Sequence, residues 1–187
     1  MHIPLSEKLK SIPGALGIRL EESLPYTVIR KFGDLEIRRY ESFRLAQVRM
    51  SGDFESASES CFRILAGFIF GENLTHTLTE MTVPVFYDRE GAEWVMSFFL
   101  PEEAARLRPE DSRITFRTTE EKTVAVLGFS GNFTEEKMFE SRIELLDSVS
   151  EAGLTPVSDV WWAQYDQPSA LPFIKKNEAL VKVEELI

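Results

Sequence analysis

The chain has 187 residues, 43% hydrophobic and 28% charged, a globular composition that excludes a disordered or fibrous protein. At this length roughly 70% of the unfolded surface can be buried, so no metal or disulfide staple is needed. Its 21 basic and 31 acidic residues leave a net charge of −10, with no Lys/Arg run longer than two, which argues against a nucleic-acid or anionic-membrane partner.

In chain order, residues 1–24 read as an arm. Leu35 to Tyr40 alternates apolar and charged residues as a half-buried strand does, and Arg44 to Met50 follows as a second strand. Asp53 is placed to cap a helix from Phe54 to Phe70, with Phe54, Ala57, Cys61, Ile64, Leu65 and Phe68 on one face and Gly71 as its stop. Two strands follow, Thr82 to Tyr87 and Glu93 to Leu100, with Asp88 to Gly91 as their hairpin turn. Pro101 to Asp111 reads as a link.

The second half opens with Ile114 to Arg117 and the nearly continuous apolar run Thr123 to Phe129, which predicts a central strand. Asn132, with Glu135 three residues on, resembles a capping box for a helix from Thr134 to Glu151. Its expected inward face is Phe139, Ile143, Leu146 and Val149, with Gly153 as the stop. Asp159 to Tyr165 and Glu178 to Val183 complete the series.

At an offset of 79 residues the two halves read alike. Leu35-Glu36-Ile37-Arg38 meets Ile114-Thr115-Phe116-Arg117, Leu45-Ala46-Gln47-Val48 meets Val124-Ala125-Val126-Leu127, and Ser51-Gly52-Asp53-Phe54 meets Ser130-Gly131-Asn132-Phe133. Two ββαββ units, 25–101 and 109–187, predict a single α+β domain. It is expected to be a distorted antiparallel eight-stranded barrel with two flanking helices.

Nucleotide-binding loops, nucleophile elbows and zinc-protease motifs are absent from the sequence. With only His2 and His76, histidine chemistry is nearly excluded; His76 reads as a solvated loop residue or, alternatively, a metal ligand. The single Cys61 cannot form an internal disulfide and reads as a small apolar core residue. A charged-then-apolar leader pattern is missing at the amino-terminus, and the apolar stretch Ile64 to Phe70 is too short to span a bilayer, so a soluble, cytoplasmic protein is expected. Trp161 and Trp162, adjacent on a strand, must point to opposite faces, one to the core and one to solvent, a cavity or a partner. Lys175 and Lys176 serve either as an edge-strand guard or as a clamp for an anionic ligand.

A series of short motifs carries a family resemblance. Gly17-Ile18-Arg19, Phe32-Gly33-Asp34-Leu35-Glu36-Ile37-Arg38-Arg39-Tyr40, Phe70-Gly71-x-Asn73, Met81-Thr82-Val83-Pro84-Val85, Phe98-Phe99-Leu100-Pro101, Ala163-Gln164-Tyr165-Asp166 and Lys176-Asn177-Glu178 occur in that order. Over residues 17–185 the chain thus resembles the SOUL family of heme-binding proteins, whose repeated unit is shared with GyrI-like ligand-binding domains. The resemblance implies an antiparallel barrel that binds heme or a related tetrapyrrole as a carrier or buffer. A porphyrin needs apolar contact for its faces, cations for its propionates and, optionally, an axial ligand for iron.

The expected ligand-binding residues are Arg38, Arg39, Tyr40, Phe68, Met81, Trp162, Tyr165, Lys175 and Lys176. Where a vertebrate member of the family uses an axial histidine, this chain has Arg39, which cannot ligate iron. Two lysines proposed to steady propionates in another member fall at about Gly67 and Leu171. The remaining candidates for iron are His76, Met81, Cys61 and Tyr40. Two other readings stay open: a GyrI-like pocket for an apolar or cationic molecule, which the net charge favours, and an enzyme using Tyr165, Asp166, Glu178 and Trp162.

Overall fold

The computed structural model describes residues 22–166 and 175–184, so most of the expected arm and Leu171 lie outside the described residues. The first half comprises β1 (Glu22–Ser23), β2 (Thr27–Phe32), β3 (Leu35–Tyr40), β4 (Arg44–Ser51), α1 (Phe54–Ile69), β5 (Thr82–Val83), β6 (Val85–Glu90) and β7 (Glu93–Leu100). A 3-10 turn at Glu102–Arg106 leads to β8 (Thr115–Thr118), β9 (Lys122–Phe129), α2 (Glu135–Glu151), β10 (Trp161–Gln164) and β11 (Asn177–Lys182).

Nine strands form one sheet in the order β2-β3-β9-β11-β10-β6-β7-β4-β8, every neighbour antiparallel. The end strands β2 and β8 do not pair, so the sheet is open where a closed eight-stranded barrel was expected. The extra strand is β2, whose residues are almost all exposed. With neither face buried it has no hydrophobic period, which is why the sequence pattern conceals it. Swapping β3 with β8, β4 with β9, β6 with β10 and β7 with β11 reverses the order of these eight strands. β3 therefore pairs with β9 of the other half, and β8 with β4.

Asp53 caps α1 as expected, accepting the Ser56 N–H at 2.9 Å. The cap of α2 is instead Thr134, which accepts the Lys137 N–H at 3.3 Å, while Asn132 accepts from Lys175 Nζ at 3.0 Å. The buried face of α2 also differs: Met138, Ser141, Leu145 and Val149 point inward, and Phe139 and Ile143 are 61% and 45% exposed. The reason is polar. Trp162 brings its indole N–H to this interface and donates to Ser141 Oγ at 3.2 Å, so a serine holds a core position that hydrophobicity alone gives to its neighbours. The hairpin turn is likewise tighter than expected, at Gly91-Ala92, because Glu90 and Glu93 still pair across the ladder and Gly91 takes a φ of 64°.

Both helices pack on one face of the sheet, α1 on β4 and β7 and α2 on β9, β11 and β3. Alternate strand residues fill this core, among them Ile37, Val48, Met96, Phe98, Ala125, Trp162 and Val181. Among the described residues no helix covers the opposite face. There Tyr40, Leu45, Phe86, Phe99, Val124, Val126, Tyr165 and Leu180 make a second apolar cluster, joined by Leu24 and Phe43.

Candidate ligand-binding cleft

Period two along the strands decides which side chains reach the helix-free face. On β3 it sends Arg38 and Tyr40 there, and on β11 it sends Glu178 and Leu180. These meet in a buried network. Arg38 donates through Nη1 and Nη2 to the two oxygens of Glu178, both at 2.9 Å, and the carboxylate also accepts Tyr165 Oη–H at 2.7 Å. Lys176 Nζ is 3.0 Å from Glu178 Oε1 and 4.1 Å from the centre of the Tyr165 ring. Tyr40 Oη accepts from Arg38 Nη1 at 3.3 Å, and Tyr26 lies against the guanidinium, 4.0 Å from ring centre to Cζ.

Glu178 is 1% exposed. Burial would raise its pKa, but the Arg38 hydrogen bonds and charge, with Lys176 and Tyr165, hold it below the usual carboxylate value. Tyr165 is pushed up, first by burial and then by the Glu178 charge. Burial raises Tyr40 to about 12 despite its Arg38 contact. The network is thus a fixed carboxylate locked to a fixed cation, with two phenols that stay protonated.

Beside it on the same face, a cavity of about 710 Å³ opens between the two halves of the sheet. Phe43, Leu45, Phe86 and Trp161 supply its apolar wall, Arg89, Arg117, Lys122 and Lys182 its cations, and Asp88, Glu90, Glu120, Glu121 and Asp159 its acids. Lys122 Nζ sits 4.7 Å from the Trp161 ring centre and 5.4 Å from that of Phe43. Burial, with smaller contributions from Arg117 and Lys182 and opposed by Asp88, pushes the Lys122 ammonium down to about 8. Asp88 shares the cavity and is raised, chiefly by burial. A second cleft of about 620 Å³ lies at Phe32, Asp34, Glu36, Leu127 and Glu144 and reaches Arg38 and Glu178.

Of the expected ligand residues, the structure brings together Arg38, Tyr40, Tyr165 and Lys176. The others go elsewhere. Arg39 is exposed and bridges Glu121 at 3.4 Å. Phe68 and Trp162 are buried in the helix-side core, and Met81 packs against it. Lys175 is buried against Asn132. Cys61 is in the same core, where burial raises its thiol to about 11 and Sγ donates to the Val48 carbonyl at 3.8 Å. His76 is exposed in the loop after α1, with a φ of 49°. Phe43, Phe86 and Lys122 were not anticipated from the sequence; of the tryptophan pair, of which one was expected to leave the core, it is Trp161 and not the expected Trp162 that lines the cavity, sharing its strand parity with Tyr165.

An open antiparallel sheet with helices on one face and a charged aromatic cleft on the other makes this an α+β domain with a cleft of small-ligand size. A family profile described as SOUL heme-binding protein matches residues 21–182, and the chain belongs to that family. No curated protein matches it in sequence. Among solved structures, the EcmrR C-terminal domain is similar at a TM-score of 0.61 and 13% identity, over 86% of this chain and 99% of that one. A hydrolase from Listeria innocua is similar at 0.55 and 15% identity, over 96% and 97%. SAV2435 bound to tetraphenylphosphonium is similar at 0.50 and 7% identity, over 80% and 93%. At these identities the likeness is one of fold.

The family implies heme, and the residues present fit part of that group. An aromatic wall of this volume suits the macrocycle, and the cations suit propionates. Iron is different: no His, Cys, Met or Tyr lines either cleft among the described residues.

Proposed function

We propose that the protein binds a tetrapyrrole, heme or a relative of it, in the helix-free cleft and serves as its carrier or buffer. The observation that carries this reading is the convergence of Phe43, Phe86 and Trp161 with Arg117, Lys122 and Lys182 on one cavity, in a chain with net charge −10. The cavity wall carries four cations and five acids, and the three cations that have no ion pair among the described residues, Arg117, Lys122 and Lys182, suit a ligand that is flat, apolar and anionic at its edge. The macrocycle rests on the aromatic wall and its carboxylates face the cations; among the described residues no side chain of the cleft is placed to hold the iron. The buried Glu178 on this face offers a cationic ligand nothing, because Arg38 already neutralises its charge; the acids open to such a ligand are those of the cavity wall, Asp88, Glu120 and Asp159 among them. The palindromic strand order and the 79-residue offset support reading the domain as two fused ββαββ units, with the cleft between them.

Hemin titration at physiological salt, followed by difference absorption, tests the proposal. A shifted Soret band saturating near one equivalent, without a histidine or thiolate signature, is expected. A non-saturating change like that of an unrelated acidic protein refutes it.

A further inference from the structure

We infer that Lys122 anchors a carboxylate of the bound ligand, so that the cleft selects planar aromatic acids over their neutral counterparts; this rests on the cleft reading above. Lys122 lies on β9, opposite Tyr40 on β3, and its half-buried side chain enters the cavity between Trp161 and Phe43. Ring faces attract the charge of an ammonium but leave its three N–H donors without acceptors. Among the described residues, no oxygen lies within hydrogen-bonding or ion-pair distance of Nζ.

Three of the five acids of the same wall have partners of their own, and the other two, Glu120 and Asp159, make no ion pair with Lys122. Glu90 is 2.8 Å from Arg49, Glu121 is 3.4 Å from Arg39, and Asp88 accepts the Arg89 N–H at 2.7 Å. The cations Arg117 and Lys182 flank Lys122 and, like it, have no ion pair among the described residues. A desolvated ammonium beside an aromatic wall, lacking its counter-ion, is what a carboxylate on a flat ring system completes. The lowered pKa of Lys122 agrees with this, because burial and the charges of Arg117 and Lys182 outweigh the one opposing carboxylate, Asp88. Arg117 and Lys182 are exposed and steer the ligand's anionic edge, whereas Lys122 fixes it at depth.

The test compares two fluorescent probes, 1-pyrenebutyrate and 1-pyrenebutanol, which share a ring system and differ in the carboxylate. The wild-type protein should bind the acid about 10- to 100-fold more tightly, the effect of one charge-assisted hydrogen bond. Lys122→Met should abolish that preference while keeping alcohol affinity, Lys122→Arg should retain it, and Lys182→Met should reduce it only slightly. Equal affinity for the two probes, or a preference that survives Lys122→Met, overturns the anchor and leaves the cleft reading standing. If neither pyrene binds, the anchor also fails, and hemin in the same cell shows whether the cleft reading falls with it. Far-UV circular dichroism of each variant verifies that it is folded.

Discussion

Replacing Arg38 with Met tests the buried network most severely. The substitution keeps a similar side-chain volume but removes two hydrogen bonds of 2.9 Å to a carboxylate that is 1% exposed. Stranding a buried charge in this way costs about 3–5 kcal/mol. Glu178 keeps Tyr165 at 2.7 Å and Lys176 at 3.0 Å, so the lower end, about 3 kcal/mol, is expected. With a urea m-value of about 2 kcal/mol/M, that moves the unfolding midpoint down by about 1.5 M.

The pH dependence follows from the depressed carboxyl. A carboxylate whose folded pKa lies below its unfolded value contributes stability above the unfolded value, and loses it as pH falls through the folded one. In Arg38→Met that depression is relieved, so Glu178 takes up a proton more easily and the gap between variant and wild type should narrow from pH 7 to pH 4. Adding Glu178→Gln to Arg38→Met should restore at least about 2 kcal/mol, because the stranded charge is gone and an acceptor for Tyr165 remains. A loss under about 1 kcal/mol for the single variant, or additive losses in the double one, would refute the reasoning.

Other outcomes follow from the same structure. Asn73, fully buried, donates to the Phe68 and Thr77 carbonyls and accepts from both Thr75 and Thr77, so Asn73→Ala should cost about 2–3 kcal/mol and speed amide exchange at Thr75 and Thr77. Ser141→Ala leaves the Trp162 indole N–H unpaired and should cost about 1–2 kcal/mol in urea unfolding, whereas exposed Phe139→Ala should cost less than about 0.5. The Cys61 thiol, raised to about 11, should resist a disulfide reagent at pH 8 in the native state and react at once in denaturant. Affinity for 1-pyrenebutyrate should fall as pH rises through about 8, because the ammonium of Lys122 is the binding form; the other groups facing it are Asp88, Arg89, Glu90, Arg117, Glu120, Glu121, Asp159 and Lys182.

Much of the fold was legible because buried strands alternate and helices carry caps. Leu35–Tyr40, the Asp53 cap and the Thr123–Phe129 run all declare themselves in this way. What stayed hidden had a physical cause: β2 has no buried face, and the phase of α2 depends on a Trp162–Ser141 hydrogen bond made across 21 residues. Parity explains the partial legibility of the site. Arg38 and Arg39, or Lys175 and Lys176, are adjacent and so face opposite ways, and composition cannot choose between them. Pairing each with a neighbour two or four residues away does: Arg38 goes with Tyr40, Lys176 with Glu178, and Trp161 with Tyr165. Lys122 and Phe43 had no such local signal, because the cavity they line is assembled from seven strands and the loops beside them.

The location of the ligand is the central claim, and amide and indole chemical-shift mapping tests it most directly. Metal-free protoporphyrin IX is the probe, because its ring current shifts nearby protons without paramagnetic broadening. The account predicts the largest shifts at Phe43, Phe86, Arg117, Lys122 and the Trp161 indole, with the Trp162 indole nearly unmoved. Shifts confined to Phe32–Glu36 and Gly128, or to the helix-side core, would contradict it.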